Sequence, residues 1–83
     1  MSQKQFTDIY DKYVDKIYRF VFLKLNSQAA AQDLTSETFT RTLEYFTRNP
    51  EARADNMQAF LYRTARNIVT DYYRQKSRTD VPL

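Results

Sequence analysis

The chain has 83 residues and a net charge of +3, with seven Tyr and six Phe but no Gly, Cys or His. One small domain of this length buries only about 60–65% of its unfolded surface, so its core must draw on large side chains. The missing Cys and His exclude disulfides, zinc centres and histidine-based acid–base or triad chemistry. The missing Gly excludes a glycine-rich phosphate loop and leaves a sheet short of tight hairpin turns, so the expected fold class is all-α. The sequence has no run of about 18 apolar residues and no leader pattern, and a cytoplasmic protein without membrane contact is expected.

The first helix is expected to start at Ser2, which forms a capping-box spacing with Gln5, and to run to about Leu25. Phe6, Ile9, Tyr10, Tyr13, Val14, Ile17, Phe20 and Val21 share one broad face. Asp8, Asp11, Lys12, Asp15, Lys16 and Arg19 share the other, and their mixed signs suit solvent. Phe22 and Leu23 fall outside the apolar stripe, which points to a second contact or a partner surface. Asn26 tolerates the left-handed conformation that closes a helix, and Ser27 is a good N-cap for the next one.

That second helix is expected from Ala29 to about Thr47, with Ala31, Leu34, Thr35, Thr38, Phe39, Thr42 and Phe46 facing inward. Asp33, Glu37, Thr40 and Glu44 face outward, and the three carboxylates fall within about 40° of one another. Arg41 relieves Glu37 from four positions on, whereas Asp33 has no such neighbour. The stripe is either a solubilising surface or a docking face for a basic partner. Paired catalytic carboxylates need a desolvated cleft, which an exposed helix face does not offer, so no enzyme activity, cofactor or metal is expected.

Asn49-Pro50 ends the second helix, because a residue before Pro is driven out of the α region. A polar loop from Arg48 to Asn56 follows, and Asp55 with Gln58 gives a D-x-x-Q cap for the third helix. From Met57 to Arg78 that helix divides into two faces. Met57, Leu61, Thr64, Ala65, Ile68 and Tyr72 can bury, while Arg63, Arg66, Asn67, Thr70 and Arg74 gather opposite, bordered by Phe60, Tyr62 and Tyr73. Asp71 is the one acid among these basic residues. Guanidinium groups interleaved with aromatic rings grip phosphates and stack unpaired bases, although a solvated face next to a basic terminus would have the same composition. The architecture expected is a two-helix hairpin crossed by this basic and aromatic third helix.

Taken together, the sequences DLTSETF at 33–39 and FLYRTARNIVTDYYR at 60–74 resemble region 2 of bacterial extracytoplasmic-function sigma factors. The opening FTDIYDKYVDKIYRFV is similar to that family's first region 2 helix, and the pieces stand in the family's order and spacing. The resemblance implies a domain, residues 1–78, that binds core RNA polymerase and recognises and melts the minus-ten promoter element. It implies that Asp33, Ser36, Glu37 and Glu44 contribute to a face docking on the β′ clamp helices, with Ser36 standing where the family commonly has Gln. It implies that Phe60, Tyr62, Arg63, Thr64, Arg66, Asn67, Thr70, Tyr73 and Arg74 contact the non-template single strand. Asn67 and Thr64 would wall a pocket for an extruded base, closed partly by the loop 48–55, and Phe60 replaces a common Trp. Residues 79–83 are expected to start a linker to an absent region 4 domain, as in a truncated chain rather than a one-domain variant. The rival expectation is a helical protein–protein module without DNA binding; an anti-sigma factor could supply such a partner even under the first reading.

Overall fold

Capping chemistry sets where each helix begins and ends. The computed structural model describes residues 1–79, and its element order is α1 (Gln3–Leu25), α2 (Gln28–Arg48) and α3 (Met57–Thr79). Of the expected linker start at 79–83, only Thr79 is described, as the last residue of α3; residues 80–83 lie outside the described residues. At the start of α1 the capping box is complete: Gln5 N–H donates to Ser2 Oγ at 3.1 Å and Ser2 N–H to Gln5 Oε1 at 2.9 Å. Asn26 closes α1 with φ 53° and ψ 37°, the one positive φ among the described non-glycine residues. Ser27 then caps α2 by accepting from Ala30 N–H at 3.3 Å. A two-residue link of this kind makes the two helices neighbours by construction.

α2 stops at Asn49, whose backbone N–H and side-chain amide both donate to Tyr45 O, at 3.0 and 2.8 Å. The cap of α3 differs from the expected D-x-x-Q box. Asn56 Oδ1 accepts from Ala59 N–H at 3.0 Å, and Asn56 O accepts from Phe60 N–H at 3.1 Å. Asp and Asn cap almost equally well, so composition could not choose between adjacent candidates; the helix begins at Met57, and the residue before it takes the role.

The core is one cluster to which each helix contributes: Ile17 and Val21 from α1, Ala31, Leu34 and Phe39 from α2, Leu61, Ala65, Ile68 and Val69 from α3. The inward residues expected for α2 are its buried residues. Three of these are threonines, small enough to let a neighbouring helix approach. Thr38 and Thr42 donate their hydroxyls to Leu34 O and Thr38 O, at 2.7 and 2.8 Å, whereas Thr35 Oγ1 is buried with no hydrogen-bond partner among the described residues. On α1, Tyr10 is 40% exposed yet meets Phe39 edge-on at 5.0 Å. Phe22, outside the expected stripe, stacks on Tyr18 at 6.0 Å and packs against the core, while Leu23 stays 74% exposed.

Val69 is buried although it lies beyond the stripe expected for α3. α3 packs against both α1 and α2, so its buried arc is wider than one partner helix would require. That arc runs about 160°, from Thr64 round to Tyr62.

The reassigned cap is testable by thermal unfolding. Asn56→Ala should cost about 1 kcal/mol, a fall of roughly 4–8 °C in Tm for a domain of this size. Asp55→Ala should stay within about ±0.5 kcal/mol, as a surface change does.

Candidate functional site

Because α3 buries so wide an arc, its basic residues are confined to what is left. Arg63, Arg66, Asn67, Thr70 and Arg74 are all exposed on that remainder. Arg74 lies 3.9 Å from Asp71, with both side chains more than half exposed, an arrangement worth little energetically. Arg66, Asn67 and Thr70 make no side-chain contact with another polar group among the described residues. The face is therefore a row of available donors.

Its two borders differ. On one side, Phe60 is half-buried and rests on the last turns of α2, its ring 5.3 Å from Tyr45 and 5.2 Å from Phe46. The Arg63 guanidinium lies 5.8 Å from the Phe60 ring centre, within cation–π range. Between this aromatic support and the loop is an open concavity of about 290 Å³, lined by Arg53, Ala54, Asp55, Asn56, Ala59, Phe60 and Arg63. Asn67 is not among those residues; it sits one turn beyond Arg63 on the same exposed face. Thr64 is also absent from the lining, and its hydroxyl donates to Phe60 O at 2.9 Å, so its proton is committed to its own helix.

On the other side, Tyr62 meets Phe20 of α1 edge-on at 5.1 Å. It shares a concavity of about 310 Å³ with Asp15, Lys16 and Arg19. The Tyr73 hydroxyl donates to Lys24 O in the last turn of α1, and the Lys24 ammonium lies 4.8 Å from the Phe20 ring centre. Two of the three border aromatics thus tie α3 to α1, a role that α3's own periodicity could not disclose. The structure singles out Arg53 and Asp55 within the loop, which the sequence identified only as a range. Their signal would have been charged residues next to a helix start, a weak one on its own.

On α2, Asp33, Ser36, Thr40 and Glu44 are exposed and Glu37 is half-buried. Arg41 Nη2 donates to Glu37 Oε1 at 2.7 Å. Asp33 and Glu44 have no cation in ion-pair contact among the described residues. Glu37 and Arg41 reach the α2–α3 seam, where they line a crevice of about 70 Å³ with Asp71 and Tyr72. Acidic and basic residues are thus sorted onto the outer faces of different helices around one core.

The family model for sigma-70 region 2 matches residues 9–79. The chain belongs to the sigma-70 region 2 family. An ECF RNA polymerase sigma factor of Streptomyces coelicolor, BldN, is 39% identical over 70 residues, covering 83% of this chain and 26% of that protein. Two Bacillus subtilis proteins named as ECF RNA polymerase sigma factors also match. SigW is 34% identical over 90% of this chain and 39% of its own length; SigM is 28% identical over 86% and 42%. The chain thus spans less than half the length of these relatives. No solved structure matches it. The region 2 assignment agrees with the all-α three-helix architecture and with the order of the two motifs. Among the described residues, no helix of this region 2 domain is long and apolar enough to cross a membrane.

Removing the Tyr73 hydroxyl isolates its tie to α1. Tyr73→Phe should lower unfolding free energy by about 0.5–1.5 kcal/mol, the usual net worth of one hydrogen bond. Arg66→Ala, with no partner to lose, should change it by less than about 0.5 kcal/mol. Denaturant melts of both variants decide this; equal stabilities would remove the tie.

Proposed function

We propose that this region 2 domain acts in transcription initiation by docking on core RNA polymerase through α2 and capturing the melted non-template strand of the minus-ten element along α3. The observation that carries this reading is the sorting of charge: among the described residues, unpaired Asp33 and Glu44 stand on one outer helix face, and unpartnered Arg66, Asn67 and Thr70 on another. One face suits a basic partner surface and the other a polyanion, and an interaction-only helical bundle has no need of both.

On the docking side, Asp33, Ser36, Glu37 and Glu44 meet the β′ clamp helices. Glu37 enters as a half-neutralised carboxylate because Arg41 already holds one of its oxygens. On the strand side, Arg63, Arg66 and Arg74 hold phosphates while Phe60 offers a ring for base stacking. Thr70 and Asn67 supply polar contacts between them. Tyr62 and Tyr73 act mainly by fixing α3 on α1, leaving the strand the faces of their rings. The domain contributes positioning, and the polymerase contributes the chemistry.

Docking is tested by charge reversal. Asp33→Lys with Glu44→Lys should leave helical content unchanged and cost under about 1 kcal/mol in stability, as two surface substitutions do. Capture of core polymerase should fall at least about ten-fold, as for charges made repulsive at an interface. Undiminished capture would make the acidic face solubilising only.

Strand capture is tested by salt and sequence together. Arg66→Ala should weaken all single strands alike and reduce the slope of log K against log salt by about 0.7. Asn67→Ala should leave that slope unchanged and alter discrimination between minus-ten sequences by about 1–3 kcal/mol at a single base. A uniform loss over all sequences would deny Asn67 any part in base reading.

A further inference from the structure

The concavity between the loop and α3 has a chemical character that the cap reassignment brings out. Asn56, not Asp55, holds the start of α3, so its side-chain amide oxygen Oδ1 is spent on Ala59 N–H. Asp55 is left as a carboxylate with no hydrogen bond or ion pair among the described residues, in the lining of the 290 Å³ concavity. The same lining holds Arg53 and Arg63, the ring of Phe60, and the methyl groups of Ala54 and Ala59. Among the described residues Arg53 makes only a 3.3 Å contact to the neighbouring Ala52 O, and Arg63 lies over Phe60.

An acidic residue in a strand-binding concavity repels phosphate, so the part of a strand it can contact is a base. A carboxylate is acceptor-only, with two oxygens side by side. Among the four bases, only guanine presents two adjacent donors, N1–H and the N2 amino group, on its pairing edge. Cytosine and adenine set an acceptor beside their amino group, and thymine flanks its single N–H with two carbonyls. The far edge of guanine carries O6 and N7, the acceptor pair that arginine recognises best. One carboxylate, the Arg53 guanidinium and one aromatic ring in a single lining therefore supply a partner for each edge and for the face of one base.

We propose that this concavity takes a guanine extruded from the single strand, with Asp55 reading the pairing edge, Arg53 the O6/N7 edge, and Phe60 stacking beneath. The proposal rests on α3 capturing a single strand, as inferred above, and adds the identity of the base and its reader.

The test needs no knowledge of the promoter. The probes are thymidine decamers carrying one central guanosine, inosine, 7-deazaguanosine, adenosine or cytidine, titrated against the chain alone and with core polymerase. The guanosine decamer should bind roughly ten-fold more tightly than all-thymidine. Inosine, lacking the N2 amino group, and 7-deazaguanosine, lacking N7, should each lose part of that preference. Asp55→Ala and Asp55→Asn should bring the guanosine-to-thymidine ratio close to one, and the amide variant should gain on adenosine and cytidine, whose edges pair a donor with an acceptor. Circular dichroism and thermal melts of both variants should match the parent, since Asp55 does not cap α3. A preference for another base, no preference, or a guanine preference that survives in both variants overturns the proposal while strand capture stands. If no decamer binds, with or without polymerase, strand capture falls and the proposal falls with it.

Discussion

α3 must cover two helices at once, and the arrangement of the domain follows from that constraint. Leu61, Ala65, Ile68 and Val69 are buried in the same cluster as Ile17, Val21, Leu34 and Phe39. A helix serving two neighbours gives up nearly half its circumference, and charge cannot enter that half without a heavy desolvation cost. The arginines are therefore compressed into one row, and the aromatic side chains at its edges become structural on one side and site-forming on the other. Where the helix starts matters equally. Asn56 as cap makes Met57 the first helical residue, and that choice sets the position of Phe60 and Arg63 relative to the loop.

Electrostatics reinforces the division without holding the fold together. The two ion pairs among the described residues, Glu37–Arg41 and Asp71–Arg74, are local to one helix each and substantially exposed. Pairs of that kind add little stability. Cohesion comes instead from apolar burial and from aromatic contacts between helices, such as Tyr10 on Phe39, Phe20 on Tyr62 and Phe60 on Phe46. Surface charge is thereby left largely free of any part in cohesion.

Most of the fold was legible because its signals are local or periodic. The Ser2–Gln5 box, the left-handed Asn26, the Ser27 cap and the buried set of α2 all follow from spacing alone. Val69 and Tyr62 did not, since a single helical stripe contains no information about a second partner helix. The choice of Asn56 over Asp55 was equally hidden, because adjacent residues of equal capping power differ only once the loop has placed the first turn. At the candidate site, the exposed row from Arg63 to Arg74 was readable as a pattern. The enclosing residues were not: Phe60 gains its support from Tyr45 and Phe46, and the concavity gains Arg53 and Asp55 from the loop. Contacts between segments distant in sequence have no periodic signature.

The seat of Phe60 has a mechanical consequence. Tyr45 and Phe46 belong to the same turns of α2 that carry Glu44 on their outer side. An α-helix is stiff over so short a span, with no glycine or proline between Gln28 and Arg48 to let it bend. A displacement imposed on the outside of those turns therefore reaches the Phe60 ring as a rigid movement, through two ring contacts and no flexible segment. The seat of Phe60 is thereby as stiff as the turns of α2 that hold it.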